Sequence, residues 1–123
     1  MTVTEQLSAL SSILAQSGLH SLFQPIVCLS ERRILGYEAL SRGPSNSPLH
    51  SPINLFAVAR HAGRLTELEV ACRESACRRF SQQGLEGKLF LNVSPESLLE
   101  PQYQSGRTLK LLQSLGIPPS RVV

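Results

Sequence analysis

Apolar residues recur along this chain in two rhythms, one helical and one strand-like. Thr2 and Glu5 stand at capping-box spacing, and Leu7, Leu10 and Leu14 follow at helical intervals until Gly18 offers a stop, which predicts a short amphipathic helix. Leu22 to Leu29 is an apolar run whose internal Pro25 removes one ladder donor, so an edge or irregular strand is expected there. The polar break Ser30-Glu31-Arg32-Arg33 is short enough for a hairpin-like turn into a second extended run, Ile34 to Ser41, and the two runs should pair antiparallel. Residues 43–52 are rich in Gly, Pro and Ser and read as a surface loop. Leu55, Val58, Ala59 and Ala62 then form a helical stripe that Gly63 ends, and a longer helix is predicted from about Leu65 to Gln83, with Leu68, Cys72, Ala76 and Phe80 on one face. On that helix Glu69 with Arg73 and Glu74 with Arg78 stand four apart in the favourable order and read as ion pairs.

Lys88 to Ser94 predicts a compact strand, after which Ser94-Pro95 supplies an N-cap and a first-turn proline for a helical turn over Glu96 to Leu99. Thr108 to Leu115 predicts a last amphipathic helix closed by Gly116, and Arg121-Val122-Val123 the start of a strand. Helices covering a sheet make the fold class α/β.

Composition narrows the picture. At 123 residues, 41% apolar and 17% charged, the chain fits one soluble globular unit. The net charge of +3 comes from scattered basic residues, with only the doublets Arg32-Arg33 and Arg78-Arg79, and no basic stripe interleaved with aromatics points to a nucleic-acid polymer. Three cysteines, Cys28, Cys72 and Cys77, lack C-x-x-C spacing, and His20, His50 and His61 lack the i, i+4 spacing of a helical metal site. No apolar run reaches the roughly 20 residues of a membrane span, and no signal peptide opens the chain. A reduced, cytoplasmic setting is expected.

Strand alternation puts Glu38, Leu40 and Arg42 on one face of the second run. A strand-end carboxylate can bind a hard divalent cation, and an arginine two pleats away can grip a phosphate in fork geometry. A solvated Glu38/Arg42 pair is the plainer alternative. Asn92 shares a face with Phe90 and interrupts an apolar strand, so its amide needs a partner, whether backbone, water or metal. Gln24 could meet a ligand's polar edge or satisfy a neighbouring strand.

Phe23-Gln24-Pro25-Ile26, Gly36-Tyr37-Glu38-Ala39-Leu40-Ser41-Arg42 and Phe90-Leu91-Asn92-Val93-Ser94 together resemble, in order and spacing, three successive motifs of the EAL domain, the bacterial module that binds and usually hydrolyses cyclic di-GMP. The resemblance implies a partial TIM-like (β/α) barrel whose first strand runs antiparallel to the second. Residues 1–19 would be a helix leading into the domain, and 20–123 its N-terminal portion, cut short on the C-terminal side. By this resemblance Glu38 and Asn92 are ligands to Mg2+ or Mn2+, Arg42 grips a phosphate, and Gln24 and Leu40 touch the dinucleotide. In the family the metal activates a water for in-line attack on one phosphodiester, giving linear pGpG. Further acidic ligands, an aspartate pair and a lysine lie on later strands of such domains, so this stretch alone is expected to be inactive. The alternative is a degenerate EAL domain acting as a cyclic di-GMP receptor or protein-interaction module. Dimers are common in this family, which admits a homodimer, and further signalling domains are expected after residue 123.

Overall fold

A computed structural model describes residues 2–16, 18–92, 94 and 107–123. The chain opens with α1 (Val3–Gln16). Its capping box forms as expected: the Thr2 amide donates to Glu5 Oε2 at 3.3 Å and the Glu5 amide to Thr2 Oγ1 at 3.1 Å. The buried face is centred on Leu10 and Ile13, whereas Leu7 is 37% exposed, so the buried stripe lies slightly round the helix from the Leu7-Leu10-Leu14 line.

Strand β1 (His20–Cys28) pairs antiparallel with β2 (Arg33–Arg42), and β2 pairs parallel with β3 (Lys88–Phe90), giving the order β1-β2-β3. Pro25 therefore sits in an edge strand of the described sheet, and the register slips between Ile26 and Val27. In the tight connection Arg32 takes a φ of 52°, a left-handed conformation rare for a residue with a side chain.

Helices α2 (Pro52–His61) and α3 (Leu65–Gln83) link β2 to β3. The predicted α3 face is buried: Leu68, Cys72, Ala76 and Phe80 are each at most 8% exposed. One core cluster joins Leu10, Ile13, Leu49, Leu55, Ala59, Leu68 and Cys72 beneath α1 and α2. A second joins Cys77, Phe80 and Leu89 to Leu112 of α4 (Arg107–Leu115) and to Ile117. Phe23 meets Phe80 edge-on at 6.0 Å between ring centroids, and the hydroxyls of Ser21 and Ser75 lie 2.9 Å apart, so α3 is locked onto one sheet face by apolar and polar contacts alike.

Three expectations need correction. The strand predicted over 88–94 ends at Phe90, because beyond it the backbone takes other partners: the Ser94 amide donates to the Glu69 carboxylate instead of to a strand. Arg121 is not in a strand but closes a 3-10 turn, Pro119–Arg121, started by a proline whose fixed φ suits it. Only Val122 and Val123 bridge to β3, with Val123 N–H donating to Leu89 O at 2.8 Å and Leu91 N–H to Val123 O at 3.1 Å. The Glu69/Arg73 ion pair does not form among the described residues, and Glu69 accepts the Ser94 amide. The helical turn expected over Glu96 to Leu99 lies outside the described residues.

At Gly36 the backbone of β3 fills the space beside β2. A Cβ on Gly36 would come within 2.1 Å of the Lys88 carbonyl oxygen, which no small adjustment relieves because the obstacle is backbone. Gly36→Ala is therefore expected to destabilise the protein by about 3 kcal/mol, at the upper end of overpacking effects, measured as a lowered urea midpoint with unchanged slope.

Candidate functional site

The register fixes which side chains meet. Gln24 lies opposite Glu38, and Glu38 beside Phe90; residues in register share a sheet face, so Gln24 and Glu38 stand on the face away from α3. The alternating set Phe23, Tyr37 and Ala39 packs against the Phe80 cluster on the other side. Two residues past Phe90, Asn92 reaches back, and its Nδ2 donates to Glu38 Oε1 at 3.3 Å. The asparagine that interrupts the apolar run has a carboxylate as its partner.

Beside this pair, a cavity of about 220 Å³ opens at the carboxyl ends of β2 and β3, beneath the N-terminal half of α3. Leu40, Arg42 and Asn92 line it, together with Phe56 of α2 and Glu69 and Arg73 of α3. Gln24 is exposed and lies outside it, across the strand pair from Glu38. A larger groove of about 680 Å³ runs along the outer side of α3 beside Leu14 and Leu19, but it includes neither Glu38 nor Asn92.

Glu69 and Arg73 are the residues that spacing alone misplaced. They are 7% and 9% exposed, although the sequence reads them as a surface pair. Both Glu69 oxygens accept the Ser94 amide at 3.3 Å, tethering the segment that carries Asn92 to α3. One signal could have revealed them: at about 100° per residue, a helical projection sets Glu69 between Ala76 and Phe80, inside the apolar arc.

As a cation site the arrangement is partial. The Glu38 carboxylate and the Asn92 amide oxygen are hard donors of the kind Mg2+ and Mn2+ prefer, and the two side chains already meet, through the Asn92 amide nitrogen. Among the described residues no three His, Cys, Asp or Glu side chains converge to complete a site.

The EAL domain family model matches residues 7–123. The probable cyclic di-GMP phosphodiesterase PdeI of Escherichia coli K12 is 36% identical over 92 residues, covering 69% of this chain and 12% of PdeI. The EAL domain of Xanthomonas citri FimX, solved in complex with cyclic di-GMP, matches with a TM-score of 0.80 at 23% identity, over 98% of this chain and 47% of that one. A standalone EAL protein of Vibrio cholerae O395, in its cyclic di-GMP-bound form, matches with a TM-score of 0.68 at 26% identity, over 85% of this chain and 42% of that one. The chain thus spans less than half the length of these solved structures, and it shares their fold over that part.

The cysteines give a pH-dependent readout of the same packing. Burial pushes the thiols of Cys72, on the cavity wall, and Cys77 up from 9.0 to about 11, against the opposing effect of a hydrogen bond with Ser41 at Cys72. The Cys28 thiol is lowered, first by its hydrogen bond with Ser30. Iodoacetamide at pH 8 is expected to label Cys28 well ahead of the other two, scored by peptide mass spectrometry. Since the folded thiols of Cys72 and Cys77 ionise later than unfolded ones, their contribution to stability is complete below pH 9.0 and declines as pH rises towards 11, a loss that a denaturation midpoint measured across that range would register.

Proposed function

Because this chain belongs to the EAL domain family, we propose that the domain it forms part of binds cyclic di-GMP at the carboxyl ends of β2 and β3 and hydrolyses one phosphodiester to give linear pGpG. The observation that carries this reading is the contact between Glu38 and Asn92, which lines one cavity together with Arg42. The likeness to a probable cyclic di-GMP phosphodiesterase and to EAL domains solved with cyclic di-GMP supports it.

Each residue then has a physical task. Arg42 offers paired N–H donors to a phosphate, a fork that a lysine does not reproduce. Leu40 supplies apolar contact to the dinucleotide from the same strand face, and Gln24 a polar one from β1. Glu38 and the phosphodiester carry like charge, so they approach the same strand ends only with a cation between them. Glu38 and Asn92 would hold that cation, Mg2+ or Mn2+, through oxygen. When bound, such an ion makes a water nucleophilic at neutral pH and neutralises charge on the phosphodiester. The two side chains leave most of a six-coordinate shell open, so other ligands come from solvent, from the phosphodiester and from parts of the domain that this chain does not include. Three free cysteines fit a reducing, cytoplasmic setting, and among the described residues no helix is long and apolar enough to cross a membrane.

Chromatography of cyclic di-GMP incubated with the full-length protein and Mg2+ or Mn2+ tests the reading. Linear dinucleotide is expected from the wild type and none from Glu38→Ala. Arg42→Ala should weaken cyclic di-GMP binding on the order of tenfold to a hundredfold, as expected for loss of a charged hydrogen bond. Intact cyclic di-GMP from a folded protein that still binds it would make the domain a receptor instead of an enzyme.

A further inference from the structure

Arg73 is a buried guanidinium with work left to do. It is 9% exposed, and its Nη1 is fully buried with no hydrogen-bond partner among the described residues. Native folds rarely strand a buried donor, and one that forms part of a cationic group is the more expensive kind. The residue that spacing offers as its ion-pair partner, Glu69, accepts the Ser94 amide instead. Helical side chains lean towards the helix N-terminus, and the N-terminal half of α3 overhangs the carboxyl ends of β2 and β3. Arg73 accordingly lines the same cavity as Arg42 and Asn92.

From this placement, and building on the cyclic di-GMP reading above, we infer that Arg73 recognises a guanine base of the bound dinucleotide, its guanidinium turning to donate to the O6/N7 edge. A phosphate is the poorer occupant of that end, because the buried Glu69 carboxylate one turn away repels it. A guanine suits it better: its O6/N7 edge accepts from a guanidinium, the commonest base-specific contact an arginine makes. Leu40 and Phe56 give the cavity apolar walls against which a flat ring can pack. Adenine presents an amino donor where guanine presents O6, so Arg73 opposes it.

The test compares full-length wild type with Arg73→Met, which keeps an unbranched apolar stem and removes the guanidinium and its charge. Affinities for cyclic di-GMP and cyclic di-AMP are measured by calorimetry without added divalent metal, and melting temperatures are recorded without ligand. Arg73→Met should weaken cyclic di-GMP binding on the order of tenfold to a hundredfold while leaving cyclic di-AMP affinity nearly unchanged, so that the preference collapses. The ligand-free melting temperature reads the structural share of Arg73 separately, because removing the guanidinium leaves the buried Glu69 carboxylate without the cation one turn away. A lower melting temperature with an unchanged guanine preference would make Arg73 structural and overturn the inference, as would equal losses for both dinucleotides. Should Arg73→Met fail to fold, Arg73→Lys retains charge and reach but not the fork, and an unchanged preference in that variant would also overturn the inference. A folded wild type that binds no cyclic di-GMP removes the functional reading itself, an outcome separate from wild-type binding whose preference survives the substitution.

Discussion

The closeness with which β2 lies against β3 decides what can happen at their carboxyl ends. Gly36 has no room for a Cβ because the Lys88 backbone occupies that space, and this contact starts a parallel register that carries Glu38 to Phe90. With that register set, Asn92 arrives two residues later near the Glu38 carboxylate, and the 3.3 Å hydrogen bond between them follows. Displacing β3 by one residue would turn Phe90 and Asn92 to the opposite face, into the packing of α3. The antiparallel β1 adds Gln24 across from Glu38 by the same logic. One backbone contact thereby orders side chains from three strands.

The other half of the arrangement is α3, which covers one face of the sheet and also intrudes on the site. Its apolar arc holds Phe80 against Phe23, while Glu69, on the same arc, holds the backbone at Ser94. On the far side of β3 a different arginine completes the clamp. Arg121 donates from Nε to Gly87 O at 2.9 Å and from Nη2 to Leu85 O at 2.7 Å, and its guanidinium lies 5.2 Å from the centre of the Phe80 ring. Those carbonyls precede β3, so the short strand is fixed before its first residue by Arg121 and after its last by Glu69. Three residues of ladder are enough because both ends are tied.

What the sequence reveals depends on how local the cause is. The Thr2/Glu5 capping box and the Leu68-Cys72-Ala76-Phe80 face are legible because partners and period lie within one helix. The β1/β2 hairpin is legible because a four-residue polar break leaves little choice but to fold back. The extent of β3 is not, since nothing in Lys88 to Ser94 announces that a helix 25 residues away in sequence will take the Ser94 amide. The burial of Glu69 and Arg73 is masked for a different reason: charges at i, i+4 ordinarily mean solvent, and this reading outweighs the place of Glu69 between Ala76 and Phe80 on the same helix. Arg121 looked like strand because Val122 and Val123 follow it, whereas the proline before it sets a turn. Within the candidate site the strand-borne residues stood out as interruptions of pattern, while the helix-borne ones conformed to a pattern that meant something else.

That difference follows from how strands and helices hold side chains. Successive same-face positions on a strand are separated by a fixed rise of roughly 6.6 Å, which suits groups that must meet one rigid phosphodiester and one cation, such as Glu38 and Arg42 on β2, with Asn92 just beyond the end of β3. A helix packed across the strand ends reaches into the same space with longer side chains at an angle, which suits contact with a flat base lying to one side. The charges follow the same division. Arg42 stands near the negative phosphate end of the proposed ligand, and Arg73, paired by position with a carboxylate that excludes phosphate, is left for an uncharged acceptor. Two arginines in a cavity of about 220 Å³ repel one another. Only a ligand that presents acceptors to both, an anion for one and a carbonyl edge for the other, relieves that repulsion without placing a second negative charge beside Glu69.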